Sequence, residues 1–238
     1  WKAPKGWVEI QTIDAHTGGE PLRIIISGFP ELKGETLLEK RDSAKNDFDH
    51  IRKTIMWEPR GHADMYGAII VAPDTPNADF GVIFIHNEGY STGCGHAVIA
   101  LTNAFIETGL IKKTEPVTKL SMDVPSGLIH SFAEIKDGEI TTVGFRNVPS
   151  FVQKMDAIID LPGFGNIRYD LAYGGAYYAF VDVAQFDLDC SQEYHDELIA
   201  IGMLIKKTIA KSIKIDHPTK PEMNFLYGTI FTNLMNPS

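Results

Sequence analysis

Only two cysteines, Cys94 and Cys190, occur among the 238 residues, too few for a disulfide framework and without the spacing of a zinc site. No apolar run approaches the length of a membrane span, and residues 1–6 contain no signal-peptide core. Basic residues are also scarce: 22 Lys and Arg stand against 31 Asp and Glu. The resulting net charge of -9 argues against nucleic acid or an anionic membrane surface as partner. It leaves room for an anionic small molecule, because a local site can be positive inside an acidic protein. No low-complexity segment or short repeat is present. What remains is an ordinary globular composition, 44% apolar and 22% charged, for one large or two small domains in a reducing cytoplasm. The first residue is Trp, not Met, so the sequence need not be a complete gene product.

Residues 7–13 and 22–27 read as strands joined by the turn-rich stretch 14–21. Leu37, Leu38, Phe48, Ile51 and Ile55 recur at near-helical spacing among many charges, which predicts one exposed amphipathic helix over residues 35–54. Residues 67–72 and 80–85 are apolar β runs on either side of a loop. Residues 95–108 form a helix apolar on most sides, hence buried, with Gly109 suited to its C-terminal cap. Strands follow at 117–123, 128–135 and 139–147, with Lys136-Asp137-Gly138 as a hairpin turn. After residue 150 the pattern restarts: strands at 167–169 and 177–183, an apolar helix at 196–213 and a strand at 225–232. Twice, a group of strands accompanies one buried helix. Two α+β domains are therefore expected, residues 1–150 carrying Cys94 and residues 151–238.

The stretch with most chemical content is residues 86–99, His-Asn-Glu-Gly-Tyr-Ser-Thr-Gly-Cys-Gly-His-Ala-Val-Ile. It places Cys94 between two glycines, after a strand and at the start of a helix. A thiol there faces the positive end of the helix dipole and unpartnered backbone N–H groups, which favour thiolate. The flanking glycines allow a small ligand close to the backbone. Two other readings compete. A lone cysteine is more often a small core hydrophobe. Gly93-Cys94-Gly95 also imitates half of a dinucleotide fingerprint, but Val98 stands where that motif needs a small residue.

Two further loops combine glycine with ionisable groups: His16-Thr17-Gly18-Gly19-Glu20, and Glu58-Pro59-Arg60-Gly61-His62-Ala63-Asp64-Met65. Salt-bridged turns would explain either one. His16, His62, His86 and His96 could together ligate a metal, but no pair has the helical spacing of a zinc enzyme, and no metal is expected. Cys190 precedes a helix without flanking glycines, so packing suits it better. Tyr173-Gly174-Gly175-Ala176-Tyr177-Tyr178 fits close packing and substrate contact equally well.

Taken in order, these segments resemble the proline racemase family, which includes proline racemases, 4-hydroxyproline 2-epimerases and trans-3-hydroxy-L-proline dehydratases. The resemblance runs from Asp14-Ala15-His16-Thr17-Gly18-Gly19-Glu20-Pro21-Leu22-Arg23 through Glu58 to Gly67 and His86 to Leu101. It continues at Ala172 to Ala176 and Phe225 to Ile230. The wording around residues 86–92 and 97–101 is most similar to the dehydratase branch. The resemblance implies a diaminopimelate-epimerase-like α+β fold of two similar domains, each with a sheet wrapped around a central helix, and an active site in the cleft between them. It implies Cys94 as the general base that abstracts the α-proton of a bound imino acid, with Gly95 and His96 contacting that substrate. His16, Glu20, Arg60 and His62 are candidates to line or brace the site. It implies no cofactor, and it leaves a homodimer open.

The implied reaction is dehydration of trans-3-hydroxy-L-proline to a cyclic imine, with proline racemisation or 4-hydroxyproline 2-epimerisation as the alternative. In a racemase a second cysteine returns the proton from the opposite face; in the dehydratase that position is Thr. The chain departs from the family pattern twice. Gly93 stands where members commonly carry Met. The second motif, Asp-Arg-Ser-Pro followed by Cys or Thr and then Gly, is expected after residues 225–230, but the sequence closes with Met235-Asn236-Pro237-Ser238. The second domain is accordingly expected to be incomplete at its C-terminal end, and a truncated, non-catalytic form is the reading of another class.

Overall fold

The computed structural model describes residues 2–233, so the closing residues 235–238 and their expected motif lie outside the described residues. The chain divides into two compact units, one ending at Val148 and the next beginning at Pro149.

In the first unit, β1 (Gln11–Thr17) and β2 (Glu20–Ser27) form a hairpin in which Thr17 faces Glu20. Gly18 and Gly19 make the two-residue turn with φ of 60° and 101°, the backbone that a tight hairpin demands at both positions. The first strand thus lies four residues later than the apolar pattern suggests, and the turn-rich stretch is itself β structure. Two helices follow, α1 (Leu37–Asp47) and α2 (Asp49–Met56), where one was expected. Phe48 breaks the line with φ of -130° and ψ of 15°, serving as the C-cap of one and the N-cap of the other. Thr36 and Glu39 start α1 with a reciprocal capping box.

The sheet continues through β3 (Tyr66–Val71), β4 (Phe80–His86), the short β5 (Gly89–Ser91), β6 (Val117–Val124), β7 (Gly127–Lys136) and β8 (Glu139–Arg146). Its order is β1-β2-β3-β4-β6-β7-β8, with β5 paired to β4. The buried helix α3 (Gly95–Glu107) packs against β1, β2 and β3 as well as β7 and β8. Contact with both ends of the strand order means that the sheet curls around it. On the other face Ile51, Ile55 and Met56 of α2 join Leu37 and Ala44 of α1 over Ile25, Ile69, Ile83 and Ile85. β4 is covered on both faces, with Phe80 against Phe105 of α3 at 4.6 Å and Ile83 and Ile85 in the second cluster. That double cover explains why its sequence is a continuous apolar run rather than an alternation.

In the second unit, β9 (Phe151–Leu161), β10 (Gly165–Tyr173) and β11 (Tyr177–Asp182) form an antiparallel meander. The helix α4 (His195–Ser212) then crosses over to β12 (Leu226–Thr232), which lies parallel to β11. α4 rests Ile201, Ile205 and Ile209 inward and touches β12 and β9, the two edges of this four-stranded sheet. The architecture is mixed α+β: in the first unit a sheet curls on a buried helix, whereas in the second α4 buries only one apolar stripe and leaves Ile199 and Met203 exposed, so it is not the buried helix that was expected. No helix among the described residues is long and apolar enough to cross a membrane.

Candidate active site

The site is built where β4 hands over to α3. After His86 the chain reverses through Asn87-Glu88 into β5, and residues 92–94 lead into the helix. Hydrogen bonds hold this turn. The Ser91 hydroxyl donates to the Gly93 carbonyl at 2.6 Å, and the Ser126 N–H, from the β6–β7 turn, donates to the Thr92 carbonyl at 2.9 Å. A β carbon at Gly95 would stand 3.3 Å from the Phe145 ring, tighter than ordinary contact, so a side chain there would require the ring to give by a few tenths of an ångström. One at Gly93 would meet Ser126 Oγ only at 3.4 Å, ordinary contact, so the turn has room for a side chain at that position.

Cys94 is the N-cap of α3, with extended backbone (φ -155°, ψ 105°) and a carbonyl that accepts the Val98 N–H at 3.1 Å. Although part of the residue reaches solvent, burial of the sulfur pushes the thiol up to about 12, opposed by a hydrogen bond from the Ala97 N–H and reinforced by the Glu20 carboxylate. The expectation that a helix start lowers this group is thus reversed: the helix N–H does act in that direction, but loss of solvation is larger.

His96, one turn position away, brings its imidazole to the thiol. Sγ lies 3.4 Å from Nδ1 and 3.6 Å from Nε2. Burial holds this imidazole below the usual histidine range, against the raising influence of Glu20 and of a hydrogen bond to the Pro21 carbonyl. The resting pair is therefore a thiol and a neutral imidazole. A neutral ring that gives its one N–H to the Pro21 carbonyl offers its other nitrogen as an acceptor for the thiol proton. The Thr17 hydroxyl donates to the His96 carbonyl at 2.9 Å, tying the end of β1 to the first turn of α3. The N–H groups of Gly95 and His96 are among those that helix geometry leaves without an intrahelical partner, a natural cradle for a carboxylate.

The four bracing candidates separate. Glu20 acts electrostatically on both Cys94 and His96. His16 is exposed, and its Nδ1 accepts the Gly19 N–H at 3.3 Å, supporting the hairpin turn. Arg60 and His62 are exposed and form no hydrogen bond to Cys94 or His96 among the described residues. Arg60 lines a separate groove with Val8, Ile10, His50 and Ile55, and His62 bonds its own loop through Nδ1 and the Ala63 carbonyl at 2.6 Å. Their backbones are nevertheless fixed. Arg23, paired with Asp14 at 2.9 and 2.7 Å, donates to the Arg60 carbonyl at 2.6 Å, and Asn87 donates to the His62 carbonyl at 2.8 Å.

His16, His62, His86 and His96 do not make a metal-ligating group, nor does any cluster among the described residues. Cys190 is exposed and free, beside Ser191 and His195 at the start of α4. Tyr173 and Tyr177 pack with Phe151 and His217 in one aromatic cluster, centroids 4.6 to 6.3 Å apart, which is the packing use of that glycine-rich motif.

Sequence reasoning passed over Arg52, Tyr66 and Thr17. Arg52 is 3% exposed and donates to the His86 and Asn87 carbonyls and to Asp49. A charged residue between apolar helix positions carries no sequence signal that it will be buried.

A family model described as proline racemase matches residues 12–237. A trans-3-hydroxy-L-proline dehydratase of Colwellia psychrerythraea is 47% identical over 227 residues, 95% of this chain and 64% of that protein. A 3-hydroxyproline 2-epimerase of Burkholderia multivorans is 46% identical over 224 residues, 94% of this chain and 67% of that protein. Among solved structures, the hydroxyproline epimerase of Agrobacterium vitis with bound trans-4-hydroxy-L-proline superposes with a TM-score of 0.87 at 31% identity, over 93% of this chain and 66% of that one. The chain thus spans about two thirds of the length of the relatives it matches.

Proposed function

The chain belongs to the proline racemase family, and from that membership we propose that it carries the proton-abstracting cysteine of a trans-3-hydroxy-L-proline dehydratase. The observation that carries the reading is the Cys94–His96 pair at the start of α3, with Sγ 3.4 Å from Nδ1. Abstraction of an α-proton needs a base in a dry site and a way to hold the charge that develops next to the substrate carboxylate. The first-turn N–H groups of Gly95 and His96 supply the second. Cys94 supplies the first once it ionises. The substrate's own secondary ammonium brings a positive charge into a site where burial and Glu20 hold the proton on sulfur, and so favours thiolate. The Cα–H bond breaks to sulfur, its electrons form the Cα–Cβ double bond, and the 3-hydroxyl leaves with a proton as water. The enamine then rearranges to the cyclic imine. Both described cysteines are free, as a reducing cytoplasm would keep them.

A second reading, 2-epimerisation, is favoured by the names of two relatives, the Burkholderia and Agrobacterium epimerases. One experiment separates the two. The product of the complete reading frame is incubated with trans-3-hydroxy-L-proline or with 4-hydroxyproline in deuterium oxide. Cyclic imine from the first substrate, abolished by Cys94→Ser without loss of fold, supports dehydration. Recovered substrate inverted and deuterated at the α carbon overturns it in favour of epimerisation. A folded protein that turns over neither substrate sinks both.

A further inference from the structure

Tyr66 and His86 face each other across β3 and β4 in direct register, so their side chains rise from the same face of the sheet. The rings stack with centroids 5.3 Å apart and an interplanar angle of 27°. Tyr66 turns its other flank to His96, at 5.0 Å and 79°, an edge-to-face contact. The sequence from His86 through Tyr66 to His96 therefore ends on the imidazole that touches Cys94.

We propose that Tyr66 is a positioning residue, which with His86 stacked behind it holds the His96 imidazole against the Cys94 sulfur. The proposal rests on the reading of Cys94 as the base and adds a determinant of that base's state. Three things make the column rigid. The His86 ring is fixed at Nδ1, which accepts the Glu88 N–H at 3.2 Å. The His86 carbonyl accepts from Arg52 at 2.7 Å, and Arg52 is itself locked to Asp49 at 2.6 and 3.1 Å. The His96 backbone is held by Thr17 and one ring nitrogen by the Pro21 carbonyl, and the flanking Tyr66 ring limits the side-chain rotation that those bonds leave. Aromatic pairs of this geometry attract beyond the area they bury, which favours one rotamer over its rivals.

The test is a double-mutant cycle read at the thiol. Cys190→Ser leaves Cys94 as the sole cysteine, and its slow alkylation by excess iodoacetamide at pH ~9, where the thiolate fraction of a raised thiol is larger than at neutrality, is followed by intact mass over a long incubation. Tyr66→Ala changes the alkylation rate at least about threefold when His96 is present and by less than about 1.3-fold in the His96→Ala background, the signature of an effect passing through His96. Tyr66→Phe, which keeps the ring, restores the parent rate. An equal effect in both backgrounds, or none in the first, overturns the proposal. If Tyr66→Ala does not fold by circular dichroism, Tyr66→Leu takes its place in the same cycle. Alkylation needs no substrate, so turnover that survives Cys94→Ser removes the catalytic reading while leaving this positional result to stand or fall alone.

Discussion

The side-chain amide of Asn87 donates to the carbonyl of His62 at 2.8 Å, and also to that of Met56 at 2.7 Å. One buried residue in the hairpin before Cys94 thereby fixes the loop that separates α2 from β3. Asn87→Asp replaces two donors by acceptors that face those carbonyls. A loss of about 2 kcal/mol or more is expected at neutral pH, smaller in acid, where the new carboxyl protonates and can donate once. Denaturant unfolding at the two pH values measures both.

Burial that raises the Cys94 thiol to about 12 has a sign that can be read in solution. In a Cys190→Ser protein, alkylation at neutral pH is slower than for an unhindered thiol and climbs without a plateau through pH ~9. Folding stability falls over the same range. Above the ordinary thiol value of about 8.5 the unfolded chain loses a proton that the folded chain keeps. Cys94→Ser removes that slope.

The Asp14 carboxylate lies below its usual range because Arg23 bonds it, by a fork of two hydrogen bonds and by charge. A group depressed in the folded state stabilises above its unfolded value, and the gain is lost as pH falls through and below that value. Asp14→Asn therefore destabilises near neutrality and flattens the acid limb of the stability profile. Asp14 is more than half exposed, so the change is small and is best seen as a difference between thermal melts at pH ~7 and pH ~3.

Gly61 tests the loop that carries Arg60 and His62. A β carbon there would fall 2.3 Å from both the carbonyl carbon and oxygen of Met56, backbone atoms that cannot swing aside. Gly61→Ala is expected to cost about 3 kcal/mol, through displacement of the loop. Gly93→Ala, whose new atom meets only Ser126 Oγ at 3.4 Å, is the contrasting control and leaves the melting temperature nearly unchanged. The reverse ranking would refute the packing described for both turns.

Much of this architecture can be read from residue order, and the reasons for the misses are physical. The helices α3 and α4 are visible because they carry apolar residues at helical spacing with clear ends, but the greater exposure of α4, with Ile199 and Met203 facing outward, is not. β9 was invisible: at its start Val152 and Met155 point outward with the polar residues, and strict in-and-out alternation begins only at Ala157. The break at Phe48 escapes because Phe48 itself fits the apolar stripe of the expected single helix. At the site, Cys94 and His96 announce themselves through glycine and histidine in a turn. Tyr66 lies 30 residues upstream of His96, and only the packing of α3 against β3 brings the two together. The direction of the Cys94 shift was also illegible, since it is set by how much protein surrounds the sulfur rather than by the helix that the sequence reveals.

All three tryptophans of the sequence stand at positions 1, 7 and 57, whereas six of the eight tyrosines lie beyond residue 149. Trp57 donates its indole N–H to the Asn87 carbonyl at 3.1 Å, in the hairpin that precedes Cys94. Emission from Trp57 is therefore a built-in optical reporter on the hairpin of the unit that holds the thiol. A ligand that shifts the hairpin changes the colour and intensity of that light without any label being attached.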